Sequence, residues 1–172
     1  APEVRKGWNR AYQSATEVGS SIKPLSVYGP ALDLGLSPAS AVVNIPDPIV
    51  GWDTETGYPA IGSEKYEGII TLRRGVVSSL NVAAARTLLE DVSLQTGADY
   101  LAKLGVDPSR IKTTGSGLAL GAMGITPIEM AGAYAAIANE GKYIKPVSFS
   151  RVVDQNGKVI LDSSKLRTEQ RV

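Results

Sequence analysis

Cysteine and histidine are both absent from the 172 residues. Their absence excludes disulfides, a cysteine nucleophile and a Ser-His-Asp triad, and it removes the usual ligands of a structural zinc site. An excess of one charge is missing too. The formal net charge is +1, so there is no electrostatic footprint for nucleic acid. No apolar run approaches the length that spans a bilayer, and no signal peptide is read at the start. Glycines occur without the pattern of a phosphate-cradling loop, and no internal repeat is visible. What remains is a chain that is 43% hydrophobic, enough for one compact unit with its own core.

Without histidine, an activated serine needs another base, and lysine is the side chain that can serve. Gly19-Ser20-Ser21-Ile22-Lys23-Pro24 places a lysine three residues after a serine. On a helix those positions share a face, so the amine can reach the hydroxyl. A second S-x-x-K occurs at Ser109 to Lys112, where a capping serine and a solvated lysine are the plainer reading. Ser20 differs because it opens the run Ile22, Leu25, Val27, Tyr28, Ala31 and Leu32, near helical period, with Gly35 as a stop. Pro24 suits only the first turn of that helix, expected over residues 20–34. Ser20 then sits at the helix start, where free N–H groups favour a developing alkoxide.

Ser79-x-Asn81 is the one S-x-N in the chain. A second hydroxyl could relay a proton, and an amide could hold the lysine or a substrate carbonyl. The plain alternative is that Ser79 caps the helix after it. Residues 36–65, rich in Pro and Gly, read as a long irregular loop. Residues 71–139 read as helical, with 106–118 as loop. Thr126, Pro127 and Glu129 form a capping box that opens the last helix. Two strand-like runs around Asp154-Gln155-Asn156-Gly157 read as a hairpin over 147–161. A short helix is expected from Arg10 to Thr16, and residues 162–172 read as a polar tail. Arg73-Arg74 reads as solvated surface.

These segments, in this order, resemble the transpeptidase domain of class A (bifunctional) penicillin-binding proteins. The resemblance rests on Trp8-Asn9-Arg10-Ala11, Gly19 to Pro24, Val27 to Leu32, Gly51-Trp52, Gly57-Tyr58-Pro59 and Tyr66 to Arg73. It continues through Ser78 to Val82, Ala119-Leu120-Gly121, Gly124 to Ala131, Ala133-Tyr134-Ala135 and Ala138 to Tyr143. Val18 departs from the proline that often precedes Gly19 in that family. The family's third motif, Lys-Thr/Ser-Gly on a strand, has no counterpart. Lys112-Thr113-Thr114-Gly115 has one threonine too many and lies in a segment read as loop.

The resemblance implies an α+β fold, mainly helical in residues 1–172, as part of the penicillin-binding protein and serine β-lactamase-like transpeptidase fold with most of the central antiparallel sheet missing. It implies that Ser20 is acylated by the penultimate D-alanine of a peptidoglycan stem peptide, or by a β-lactam. Lys23 would then be the base, acting as a neutral amine. Ser79 would relay the proton and Asn81 would hold Lys23 or the substrate. No cofactor or metal is implied. The implied partners are stem peptides, β-lactams, the remainder of the domain and an upstream glycosyltransferase domain. The implied location is the extracytoplasmic face of the bacterial cytoplasmic membrane, through an anchor outside this chain. Beside an unrelated helical domain with chance motifs, two alternatives stay open. One is a D,D-carboxypeptidase or β-lactamase, for which Glu64 or Glu67 could hold a deacylating water. The other is a non-catalytic binding module.

Overall fold

The sequence around Ser20 dictates an unusual helix, and the rest of the chain packs around it. In the structure, a computed structural model that describes residues 7–52, 54–60, 65–165 and 169–172, this helix changes winding twice. It begins as a 3₁₀ turn, Gly19–Ile22, widens to a π-type turn over Pro24–Tyr28, and ends as a short α-helix, Gly29–Asp33. The expected helix over 20–34 is therefore not one regular α-helix. Pro24 has no N–H to give the Ser20 carbonyl, so the backbone N–H of Lys23 closes the turn onto it. Further on, the N–H of Gly29 closes the wide turn onto the Pro24 carbonyl. A Cβ at Gly29 would sit 2.8 Å from that oxygen, so glycine permits the winding. Gly35 stops the helix with a φ of +102°.

The elements in chain order are α1 Arg10–Gln13, β1 Thr16–Glu17, the composite helix ending in α2 Gly29–Asp33, β2 Ala41–Asn44 and β3 Gly68–Thr71. Then come α3 Leu72–Val77, α4 Asn81–Arg86 with its π-type extension Thr87–Val92, α5 Leu94–Lys103, α6 Gly115–Leu120, β4 Gly124–Ile125 and α7 Pro127–Ala138. The chain closes with β5 Lys142–Ile144, β6 Arg151–Val153, β7 Val159–Asp162 and β8 Glu169–Arg171. Among the described residues the strands form antiparallel pairs only: β1 with β4, β2 with β3, β5 with β8, and β6 with β7.

Several segments differ from the sequence reading. The 36–65 stretch holds β2, whose Val42 is buried and whose register pairs Val42 with Ile70. The segment 106–118 is not all loop. Asp107 caps a 3₁₀ turn at Pro108–Arg110, and Thr114 caps α6 by accepting from the N–H of Gly117. The first helix stops at Gln13, and Thr16 lies on β1 instead. The region 71–139 is interrupted by β4. The hairpin strand starts at Arg151 rather than 147, and the polar tail supplies β8.

Burial explains why the composite helix is central. Ile22, Leu25, Val27, Tyr28 and Ala31 are all in the core, on more than one face. A helix that is apolar nearly all round belongs inside. It shares one buried cluster with Val82, Ala84 and Ala85 of α4, Leu101 of α5, Leu118 of α6 and Ala133 of α7. Ser26 is a fully buried polar residue in this wall, and its hydroxyl donates to the carbonyls of Leu118 (2.6 Å) and Ile22 (3.1 Å).

Candidate active site

Gly19, with φ +56°, turns the chain into the 3₁₀ segment that carries Ser20. Three residues make one full 3₁₀ turn, so residues i and i+3 eclipse. The S-x-x-K spacing therefore puts Lys23 directly behind Ser20 along the helix. The Ser20 side chain is exposed. Lys23 is 2% exposed, and an ammonium or amine buried to that degree must have partners.

Those partners come from the S-x-N segment. Lys23 Nζ donates to the Ser79 carbonyl at 2.6 Å, to Ser79 Oγ at 3.2 Å and to Asn81 Oδ1 at 2.7 Å. Three of the four sequence candidates are thus joined in one hydrogen-bonded cluster. Ser20 Oγ stands outside it, with no side-chain hydrogen bond among the described residues.

The local fold that presents Ser79 is a helix C-terminus. The Ser79 N–H donates to the Val76 carbonyl (3.1 Å) and the Leu80 N–H to the Gly75 carbonyl (3.0 Å). This is the Schellman pattern that ends α3, and Ser79 occupies the left-handed position usually given to glycine, with φ +54°. The bend turns the Ser79 carbonyl and hydroxyl toward Lys23, and buried Leu80 anchors the far side. Ser79 therefore ends the helix before it and does not cap the next one: the N-cap of α4 is Leu80, which offers no side-chain bond. Asn81 opens α4, and its Nδ2 donates to the Ala60 carbonyl at 2.9 Å, tying the long 45–67 connection to the cluster.

Two contacts on the Ser20 turn were not expected from the sequence. The Gly19 N–H faces the Gly121 carbonyl at 3.3 Å, and Tyr134 Oη donates to the Ser21 carbonyl at 2.7 Å. Both partners lie far along the chain, in segments that carry the family resemblance but were assigned no place at the site.

The remaining candidates separate from this site. Ser109 Oγ donates to Asp107 and Lys112 Nζ to the Ala122 carbonyl, so the second S-x-x-K is a capping arrangement with a surface lysine. Lys112-Thr113-Thr114-Gly115 leads into α6 and is no strand. Glu67 holds Arg74 in a two-pronged pair (2.8 and 2.9 Å), and Arg74 lowers the Glu67 pKa, chiefly through that hydrogen bond. Glu64 lies outside the described residues. An apolar cavity of about 530 Å³ lined by Tyr28, Leu32, Tyr100, Leu104 and Ile137 contains none of the four motif side chains.

The family model for the penicillin-binding protein transpeptidase domain matches residues 3–171. The chain belongs to the penicillin-binding protein transpeptidase family. Among curated relatives of this transpeptidase family, penicillin-binding protein 1A of Clostridium tetani is 37% identical over 169 residues, covering 91% of this chain and 21% of that protein. The crystal structure of penicillin-binding protein 1A from Haemophilus influenzae is similar with a TM-score of 0.77 at 34% identity, over 90% of this chain and 23% of that one. PonA1 of Mycobacterium tuberculosis, solved in complex with penicillin V, gives a TM-score of 0.73 at 26% identity, over 92% and 44%. The chain spans about a fifth of the length of the curated transpeptidase relatives it matches. Its fold is accordingly that of an α+β transpeptidase domain, and the relatives it matches are penicillin-binding proteins 1A and 1F. No helix of the described residues is long and apolar enough to cross a membrane.

Proposed function

We propose that this chain carries the acylation centre of a peptidoglycan D,D-transpeptidase, with Ser20 as nucleophile. The observation that carries the reading is the buried Lys23 Nζ, held by Ser79 and Asn81 one 3₁₀ turn behind an exposed serine.

The Ser20 hydroxyl proton passes to Lys23 in its neutral form, whose two N–H groups keep the Ser79 carbonyl and Asn81 Oδ1 while its lone pair takes the proton, as Oγ attacks the carbonyl carbon of the penultimate D-alanine. The tetrahedral oxyanion is met by the backbone N–H of Ser20. Collapse breaks the C–N bond to the terminal D-alanine, whose nitrogen takes the proton back from Lys23 through Ser79 Oγ. The ester on Ser20 is then attacked by an amine of a second stem peptide, which forms the crosslink and returns a proton to Ser20. A β-lactam enters the same first step, with its ring amide in place of the D-alanyl peptide bond. Asn81 orients Lys23 through Oδ1 and is itself held by the Ala60 carbonyl.

The family resemblance puts the second oxyanion donor and the substrate-carboxylate site after a Lys-Thr/Ser-Gly motif, a tripeptide this sequence does not contain. Loss of one oxyanion donor typically costs about 10²–10³ in rate. The 172 residues alone therefore acylate slowly, and a segment bearing that motif restores the rate. The whole protein of which such a domain forms part would act at the extracytoplasmic face of the bacterial membrane, beside a glycosyltransferase domain.

The acceptor distinguishes transpeptidase from hydrolase. A D-Ala-D-Ala stem peptide, an amine acceptor and this chain joined to a Lys-Thr/Ser-Gly segment are incubated and the products weighed. Crosslinked peptide supports the proposal. Release of D-alanine with no crosslink favours a D,D-carboxypeptidase. The pairing of Glu67 with Arg74 weighs against Glu67 as a water-activating base for a β-lactamase.

A further inference from the structure

The turn that carries Ser20 is poorly supported by its own backbone. Its 3₁₀ geometry makes weaker hydrogen bonds than an α-helix, and Pro24 withholds the donor that an α-helical turn would send to the Ser20 carbonyl. Support comes from elsewhere. On the N-terminal side, Ser21 Oγ donates to the Val18 carbonyl at 2.6 Å and Gly121 backs onto Gly19. On the C-terminal side, the Tyr134 hydroxyl reaches from α7 to the Ser21 carbonyl at 2.7 Å, the one side-chain donor to a backbone carbonyl of Gly19–Ile22 that comes from another helix, among the described residues apart from the Ser26 bond to Ile22 inside the same helix.

We propose that Tyr134 is a positioning residue for acylation: its hydroxyl fixes the Ser21 peptide and so sets where Ser20 Oγ points. This rests on Ser20 being the nucleophile. Tyr134 is well placed for the task. Its helix is locked at its start by the capping box of Thr126 and Glu129 and packed into the core through Ala133 and Ala136. The hydroxyl is thus delivered from a rigid element to a turn that needs an external hold. Partial burial pushes the phenol above its ordinary pKa, so it remains a donor at neutral pH. Tyr134 is 40% exposed and lies outside the buried core, so removing the hydroxyl leaves the core intact.

The test is Tyr134→Phe, which deletes only the hydroxyl, with a fluorescent penicillin as probe. Stopped-flow kinetics separate non-covalent binding from the acylation rate constant. The expected result is acylation slowed about three- to tenfold, the size of one lost hydrogen bond, with unchanged non-covalent affinity and unchanged Tm. Acylation equal to wild type, or slowed only in step with a falling Tm, overturns the proposal. Amide hydrogen exchange over residues 19–28 reads the same contact without chemistry. Faster exchange in Tyr134→Phe confined to this turn supports the hold, and unchanged exchange contradicts it. If the wild-type chain takes no penicillin even with a segment carrying Lys-Thr/Ser-Gly supplied, the nucleophile assignment has failed, and exchange alone decides whether Tyr134 fixes the turn.

Discussion

Ser79 shows at single-residue scale how this site trades stability for placement. A non-glycine residue in the left-handed region costs about 1–2 kcal/mol, and here the strain turns both the carbonyl and the hydroxyl of Ser79 onto Lys23. Glycine at this position would relax the backbone and remove the hydroxyl. Ser79→Gly is therefore expected to hold or raise Tm while acylation falls by about 10²-fold or more, the usual yield of a positioned proton carrier. Thermal melts beside acylation kinetics check this. A variant with lower Tm and full acylation would show that the left-handed backbone, and not the hydroxyl, is what the site needs. Lys23 and Ser79 were legible because their motifs are short and local. The left-handed turn was not, since the left-handed position is Ser79 rather than the glycine or asparagine that ordinarily marks it.

At the scale of elements, close backbone contacts fix the Ser20 turn. Gly121, at φ +71°, lies so near Gly19 that a Cβ would overlap the Gly19 carbonyl oxygen and stand 2.6 Å from its nitrogen. Gly121→Ala should lower Tm and slow acylation together, because strain at a left-handed position and displacement of the Ser20 turn arise from the same methyl group. Differential scanning fluorimetry and acylation rates check the pair, and a variant with unchanged rates would free Gly121 of any role at the site. The α7 cap makes a separate prediction. Desolvation pushes the Glu129 carboxyl up, but bonds from the Thr126 side chain, from the backbone N–H groups of Thr126 and Asp107, and from nearby Arg110 outweigh it and leave the pKa lowered. A carboxyl lowered in the folded state stabilises above its unfolded pKa and loses that stabilisation as pH falls through its folded pKa. Tm of the wild type should fall on acidification below pH 4.5 more steeply than that of Glu129→Gln, whose curve lacks this contribution; parallel curves would contradict it. The capping box was readable because all its residues fall within one turn. Strands β1 and β8, Thr16–Glu17 and Glu169–Arg171, were not, since they are short, polar and paired with remote segments. The Gly115-Ser116-Gly117 run reads as loop on propensity, yet buried Leu118 and Ala119 draw it into α6.

Across the whole molecule, one buried helix organises the fold and the chemistry at once. Its first turn exposes Ser20, its next residue buries Lys23, and its remaining length shares one buried cluster with residues of α4, α5, α6 and α7. The fold class followed from the ordered motifs of the family. The winding of the central helix did not, because it depends on Pro24, Gly29 and packing from all sides. The central claim is that Ser20 is the acylated residue. The measurement that tests it most directly is the intact mass of this chain after incubation with a penicillin, followed by peptide mapping. One adduct per chain is expected, on Ser20, absent from Ser20→Ala. An adduct on another residue, one that survives Ser20→Ala, or none even with a segment carrying Lys-Thr/Ser-Gly supplied, would contradict it.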